Sequence, residues 1–272
     1  MYLTNIKKNK LIRKIIFSEL GKKLLQYIER LISGRRRRDY LKKLLRFQYQ
    51  SKFRHDWVWA KEPPHFSDTE NFENLFEHSS VFFAFLKGYF TSELLKNEDR
   101  LLDIGTGTGF FSSRFFSHKC KHIDAIDVEE SAIIYAKKYN YTNNINYTVL
   151  DAVNSSFPSQ KYDVVVWDGA IGHFHPDTID KMLKKILNSL DKNGIFTGSE
   201  TLGRDEGVDH LQFFETLNEL GALLKKYFKY CYLKEVHYNL QHDKKFIRKE
   251  AYWRCCNSKL AQERFYGNWI EI

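Results

Sequence analysis

From about residue 100 onward the chain alternates short apolar runs with longer segments whose apolar positions recur at helical spacing. Leu101-Leu102-Asp103-Ile104, His122 to Asp127, Ile145 to Leu150 and Tyr162 to Gly169 are dense in apolar residues and too short for helices, so they read as buried strands. Helices are expected near 109–118, 129–140, 176–190 and 209–228. Lys192-Asn193-Gly194 forms a turn into a fifth strand, Ile195 to Gly198, and two more strands are expected around 230–238 and 245–255. Strand alternating with helix predicts an α/β domain on a mostly parallel sheet.

The first part of the chain follows another rhythm. Leu11, Ile12, Ile15, Ile16, Leu20, Leu24, Ile28, Leu31 and Ile32 are helically spaced among Lys and Arg, and Ser33-Gly34 offers a stop. A second helix is expected from Asp39 to about Phe53, Glu62-Pro63-Pro64 interrupts regular structure, and Phe72 to Leu95 reads as a Phe-rich helix that roofs a cleft. Residues 1–95 are therefore expected to form a basic helical extension with cleft-capping helices, and 96–272 the α/β domain.

Charge reinforces that division. Residues 1–54 hold 17 Lys or Arg against 3 acids, a surplus of 14, while the whole chain nets +9, so the remainder is mildly acidic. Hydrophobic content of 43% and aromatic content of 16% exclude wholesale disorder. No apolar run reaches the ~18 residues that span a bilayer, and no secretory pattern opens the chain, so a cytoplasmic location is expected. The four cysteines, Cys120, Cys231, Cys255 and Cys256, lack C-x-x-C spacing and are expected to be reduced, with no zinc.

Candidate chemistry begins at Asp103-Ile104-Gly105-Thr106-Gly107-Thr108-Gly109, where a buried strand runs into glycines at alternate positions. A dinucleotide fingerprint, G-x-G-x-x-G, would need glycine where Phe110 stands. Asp127 lies 24 residues after Asp103 and Asp151 another 24 on, each closing an apolar run, and Asp168 closes the next. This set resembles the class I S-adenosylmethionine-dependent methyltransferases, whose first motif is Asp-x-Gly-x-Gly-x-Gly. The resemblance covers roughly residues 98–256. It implies a doubly wound, mostly parallel seven-stranded sheet whose last strand enters antiparallel between strands five and six. It assigns S-adenosyl-L-methionine to Asp103, Gly105, Thr106, Gly107, Gly109, Asp127, Val128, Asp151, Ala152 and Asp168, with Asp127 on the ribose hydroxyls and Asp151 beside the adenine amino group.

Methyl transfer from a sulfonium is an in-line displacement, so alignment dominates and a base matters only for an acceptor that arrives protonated. His173 is the candidate base; His175, before Pro176, is expected to shape a helix entry. Glu200, Asp209 and His210 are further candidates for acceptor binding or proton transfer, and no metal is assigned. Asn or Asp before Pro-Pro-Tyr, typical of adenine amino methylation, is absent after strand four, as is the Pro-Cys or Thr-Cys nucleophile of cytosine C5 methylation. The C-terminal portion, Asp209 to Phe214 through Arg248 to Cys255, resembles bacterial methyltransferases of surface-glycan or small-molecule biosynthesis, and that resemblance implies a small-molecule or glycan acceptor methylated on oxygen. The basic segment 1–54 admits three roles: a packed cap, peripheral contact with an anionic membrane, or RNA recruitment. A non-catalytic cofactor sensor is the remaining alternative, and the oligomeric state is left open.

Overall fold

The computed structural model describes residues 80–203, 211–239 and 247–272. The expected basic extension, the Pro-Pro interruption, and the candidates Asp209 and His210 lie outside the described residues.

One mixed sheet organises the rest. Its strands are β1 (Arg100–Ile104), β2 (His122–Asp127), β3 (Ile145–Val149), β4 (Tyr162–Asp168), β5 (Leu190–Leu202), β6 (Tyr230–Asn239), β7 (Ile247–Cys256) and β8 (Ile270–Glu271). Their spatial order is β3-β2-β1-β4-β5-β7-β6-β8. The first five run parallel, β7 is antiparallel to β5, and β6 is antiparallel to β7. The last long strand therefore enters where the resemblance placed it. The sheet has eight strands rather than seven, because Ile270–Glu271 adds a short edge beside Tyr232 and Leu233. Two residues are too few to leave a periodic signal.

The strands β1 and β4 read as almost unbroken apolar runs because both of their faces are covered, as a parallel sheet requires. On one face Leu102, Val165, Trp167, Phe196 and Trp253 pack with Ile179, Met182, Leu183 and Ile186 of a helix over Pro176–Ser189. On the other, Leu101, Val164, Val166 and Ile195 pack with Leu94, Phe116, Ile123 and Ile133. The helices are α1 (Ser80–Ser92), α2 (Glu130–Tyr139), α3 (Pro176–Ser189), α4 (Leu217–Leu224) and a short α5 (Lys259–Gln262). α3 begins as its sequence asks, with Pro176 in the first turn and the His175 carbonyl accepting the Thr178 and Ile179 amides. That places His175 at the helix entry, as expected.

Two helices are shorter than their periodicity suggested. After the glycine turn, helical structure runs over residues 110–116 only, π-helical from Ser112 to Phe116. α4 starts eight residues late because Phe214 is drawn into a bridge with Leu202, after which Thr216 caps the helix by accepting the Glu219 amide at 3.2 Å. The end of α1 is fixed by the fully buried Arg254 of β7, which donates to the Phe90 carbonyl and the Glu93 carboxylate, each at 2.9 Å. A cation on the last carbonyls of a helix is favourably placed against its dipole. All four cysteines are buried and free.

Candidate active site

The C-terminal ends of β1, β2, β4 and β5 lie side by side, and Asp103, Asp127, Asp168 and Glu200 sit at them, with Asp151 at the neighbouring end of β3. At β1 the chain turns through Gly105 and Gly109, each at φ +74°. Among the described residues nothing lies within 4 Å of where a Gly105 Cβ would project, so they leave this turn as an open cradle for a ligand. At Gly109 a Cβ would run into the Tyr147 ring, whose hydroxyl donates to the Gly109 and Asn140 carbonyls at 3.2 and 2.9 Å. The Gly105 and Thr106 amides both donate to the Ile126 carbonyl, folding the turn over the end of β2.

Asp103 works from beneath that turn. Its Oδ2 accepts the Thr106 and Ser112 hydroxyls at 2.8 and 2.5 Å, joining both ends of the glycine segment. Burial pushes its pKa up, and those two hydroxyls oppose the shift. Asp127 closes the other side: Oδ2 accepts the Gly107 amide at 2.8 Å and Oδ1 the Glu129 amide at 2.9 Å. Burial raises this acid as well. Val128, next along, is 71% exposed, an apolar side chain left standing beside the acid.

Asp151 is turned differently. Its carboxylate accepts the Val153 and Asn154 amides and the Asn154 side chain, all within its own turn, which lowers its pKa. The Ala152 carbonyl accepts from Lys185 of α3. The structure thus joins Asp103, Thr106, Gly107 and Asp127 by direct hydrogen bonds, with Asp151 and Ala152 one strand over, in a loop tied to Asp127 through the Leu150 amide at 2.8 Å.

At the end of β4, burial pushes Asp168 up to about 6; Lys87 opposes the shift, Asp103 and Glu250 add to it, and the neighbouring Ser199 hydroxyl lowers it. Sequence reasoning missed this polar group. Lys87 reaches down from α1, 12% exposed, to within 3.6 Å of the fully buried Glu250 of β7, and its ammonium occupies the space where a Cβ on Gly169 would be. Arg248 meets the other Glu250 oxygen at 3.0 Å. Lys87 is the one charged residue of α1, a signal available in sequence, but its partner 163 positions later is not.

Glu200 was a candidate for acceptor binding or proton transfer at the cleft. The structure withdraws it to 2% exposure, on the sheet face opposite Ser199, where it accepts the Gly172 amide at 2.8 Å and the Thr201 amide at 3.0 Å. Burial raises it to about 7. It holds the 3₁₀ turn Ile171–His173, which carries the half-buried His173 just beyond β4. The Gly172 carbonyl in turn accepts the Leu211 and Gln212 amides, joining this turn to the chain entering α4.

A family model described as a methyltransferase domain matches residues 101–194, the span from β1 into the first residues of β5. The chain carries a class I S-adenosylmethionine-dependent methyltransferase domain. S-adenosyl-L-methionine is the cofactor of this domain, and the open Gly105 cradle with a carboxylate beyond it suits a nucleoside carrying a flexible, charged tail. The ribosomal protein L11 methyltransferase of Staphylococcus saprophyticus is 32% identical over 108 residues, 39% of this chain and 33% of that protein. The Staphylococcus carnosus protein of the same name is 27% identical over 125 residues, 44% of this chain and 38% of its own. The chain therefore spans little more than a third of these methyltransferases. Among solved structures, the N-methyltransferase NodS from Bradyrhizobium japonicum in complex with S-adenosyl-L-homocysteine has a TM-score of 0.52 at 18% identity over 76% of this chain and 98% of its own. The complex of DhpI with the same demethylated cofactor has a TM-score of 0.50 at 14% identity, covering 71% and 92% of the two chains. These two share the fold of this methyltransferase domain.

Proposed function

We propose that this protein transfers the cofactor's methyl group to a hydroxyl of a small-molecule or glycan acceptor, with His173 as the base. The observation that carries this reading is the segment after β4: Asp168, raised to about 6, then Gly169, then a turn bearing His173 that Glu200 fixes through Gly172. A proton acceptor next to the reacting centre serves a nucleophile that arrives protonated, as a sugar or alcohol hydroxyl does.

When bound, S-adenosylmethionine supplies a methyl carbon on a sulfonium that leaves as a neutral thioether. The chain's own residues do the rest. Asp127 and the Gly105 to Gly109 turn hold the nucleoside end, Asp103 keeps the turn rigid, and the Lys87–Asp168–Glu250 group forms the charged floor beneath α1. The imidazole of His173 takes the acceptor's hydroxyl proton on a ring nitrogen as the new bond forms. Rigid alignment of acceptor and cofactor supplies most of the rate.

A second reading has one observation in its favour: the staphylococcal relatives carry the name of ribosomal protein L11 as substrate. The match covers little more than a third of those proteins, so the hydroxyl acceptor stays the proposal. For residues 1–54 we propose peripheral contact with an anionic membrane from the cytoplasmic side, on the strength of their charge surplus. Methyl-labelled cofactor incubated with fractionated cell extract tests the acceptor. Label in soluble metabolites or glycan supports the proposal; label in protein or RNA, or cofactor binding with no transfer to any fraction, contradicts it.

A further inference from the structure

Lys185 is a half-buried cation whose hydrogen-bond partners are main-chain carbonyls. It projects from α3 onto the loop that follows β3, where its ammonium donates to the carbonyls of Ala152 and Ser155 and sits 4.1 Å from the centroid of the Phe157 ring. One helical turn earlier Lys181 donates to the Asn154 side-chain oxygen at 3.2 Å. Burial depresses the Lys185 pKa, so the position costs free energy that an apolar side chain over Phe157 would not. What the ammonium adds is a fixed distance between α3 and the loop.

That loop is also tied at its far end, where Ser159 donates to Asp124 and accepts from Arg100, each at 2.9 Å, and Ala152, Val153 and Phe157 pack against the core. The Leu150 amide donates to the Asp127 carbonyl, stitching the start of the loop to the acid-bearing end of β2, and Asp151 folds the next three residues into a closed turn. Without the lysines, the turn loses its polar ties to α3 and is placed by the packing of Ala152 and Val153 alone on that side. Because Asp151 spends its hydrogen bonds inside the turn, the place of the whole turn matters more than the reach of its carboxylate.

We propose that Lys185, assisted by Lys181, is a positioning residue for the adenine end of the cofactor, setting where the Asp151–Val153 backbone stands relative to Asp127. This rests on the cofactor lying from the glycine turn across Asp127 toward Asp151. The effect is indirect: the lysine touches the loop and the loop meets the base.

Calorimetric titration of the full chain with S-adenosylhomocysteine and with adenosine tests it. Lys185→Met raises both dissociation constants by the same factor, about tenfold, since the shared part of the two ligands is what the loop receives. Lys185→Arg, able to donate to two carbonyls, stays within about threefold of wild type. Lys181→Ala, with its exposed partner, costs about twofold. An unchanged affinity in Lys185→Met, a loss for S-adenosylhomocysteine alone, or an Arg variant as weak as Met overturns the proposal. So does a loss that vanishes when each variant is measured the same interval below its own melting temperature, because that is destabilisation only. Wild-type protein that binds S-adenosylhomocysteine but not adenosine overturns the adenine placement itself, a failure distinct from that of the lysine clamp. Should Lys185→Met fail to fold, the Arg and Lys181 variants still decide the question.

Discussion

The carboxylate of Asp127, at the end of β2, accepts the main-chain amide of Gly107 at 2.8 Å. One side chain thereby holds the glycine turn of β1 against the neighbouring strand, and in the proposed cofactor pose it also meets the ribose. Asp127→Ala removes both functions. Its dissociation constant for S-adenosylhomocysteine rises about 10- to 100-fold, the span expected for losing hydrogen bonds to a charged group, as read by calorimetry. An affinity unchanged in this variant would mean that the ligand does not pass over β2.

Lys87 and Glu250 form a pair on the sheet under α1, with the carboxylate fully buried. Lys87→Met leaves Glu250 with Arg248 as its cationic partner and removes the cation that holds down the Asp168 pKa. The variant loses about 2 kcal/mol in denaturant unfolding. Adding Glu250→Gln recovers part of that loss, and strict additivity of the two changes would show that the pair does not interact.

The elevated pKa of Glu200 makes a signed prediction. A carboxyl that is harder to ionise when folded binds more protons in the native state than in the unfolded chain between its ordinary value of 4.5 and about 7. Its burial therefore costs nothing below that window and progressively destabilises the fold as pH rises through it. Measured against wild type, Glu200→Gln gains relative stability from pH 4.5 to 8, by at most ~3 kcal/mol. A stability difference that is flat with pH would place an ordinary carboxyl at this position.

His173→Ala lowers the turnover number with the preferred acceptor by about 10²- to 10⁴-fold, the usual share of a general base. Its affinity for S-adenosylhomocysteine stays within about twofold, because its proposed role is toward the acceptor. A rise in acceptor KM at unchanged turnover would make His173 a binding residue instead.

Much of this site was legible because parallel strands buried on both faces are near-continuous apolar runs, and their ends are where polar residues resume. Asp103, Asp127 and Asp168 stand out for that reason, and Gly105 to Gly109 by spacing. What stayed hidden depends on register between distant segments. Glu250 reaches the site because β7 pairs with β5 so that Thr201 faces Glu250. Glu200 and Ser199 look equivalent in sequence, yet the period of two in a strand sends them to opposite faces of the sheet. Lys192-Asn193-Gly194 reads as a turn, whereas β5 already begins at Leu190, which pairs with Tyr162 across an irregularity in register. Asp151 carries the expected spacing, and only the coordinates show its carboxylate committed to its own turn.

The central claim is that the strand ends around Gly105 and Asp127 bind an adenosyl sulfonium cofactor. Isothermal titration of the purified chain with S-adenosylhomocysteine tests it most directly. Saturable binding at one site per chain is expected, weakened by Asp127→Ala and unaffected by His173→Ala. The absence of binding heat at any accessible ligand concentration, or equal binding by the Asp127 variant, would contradict it.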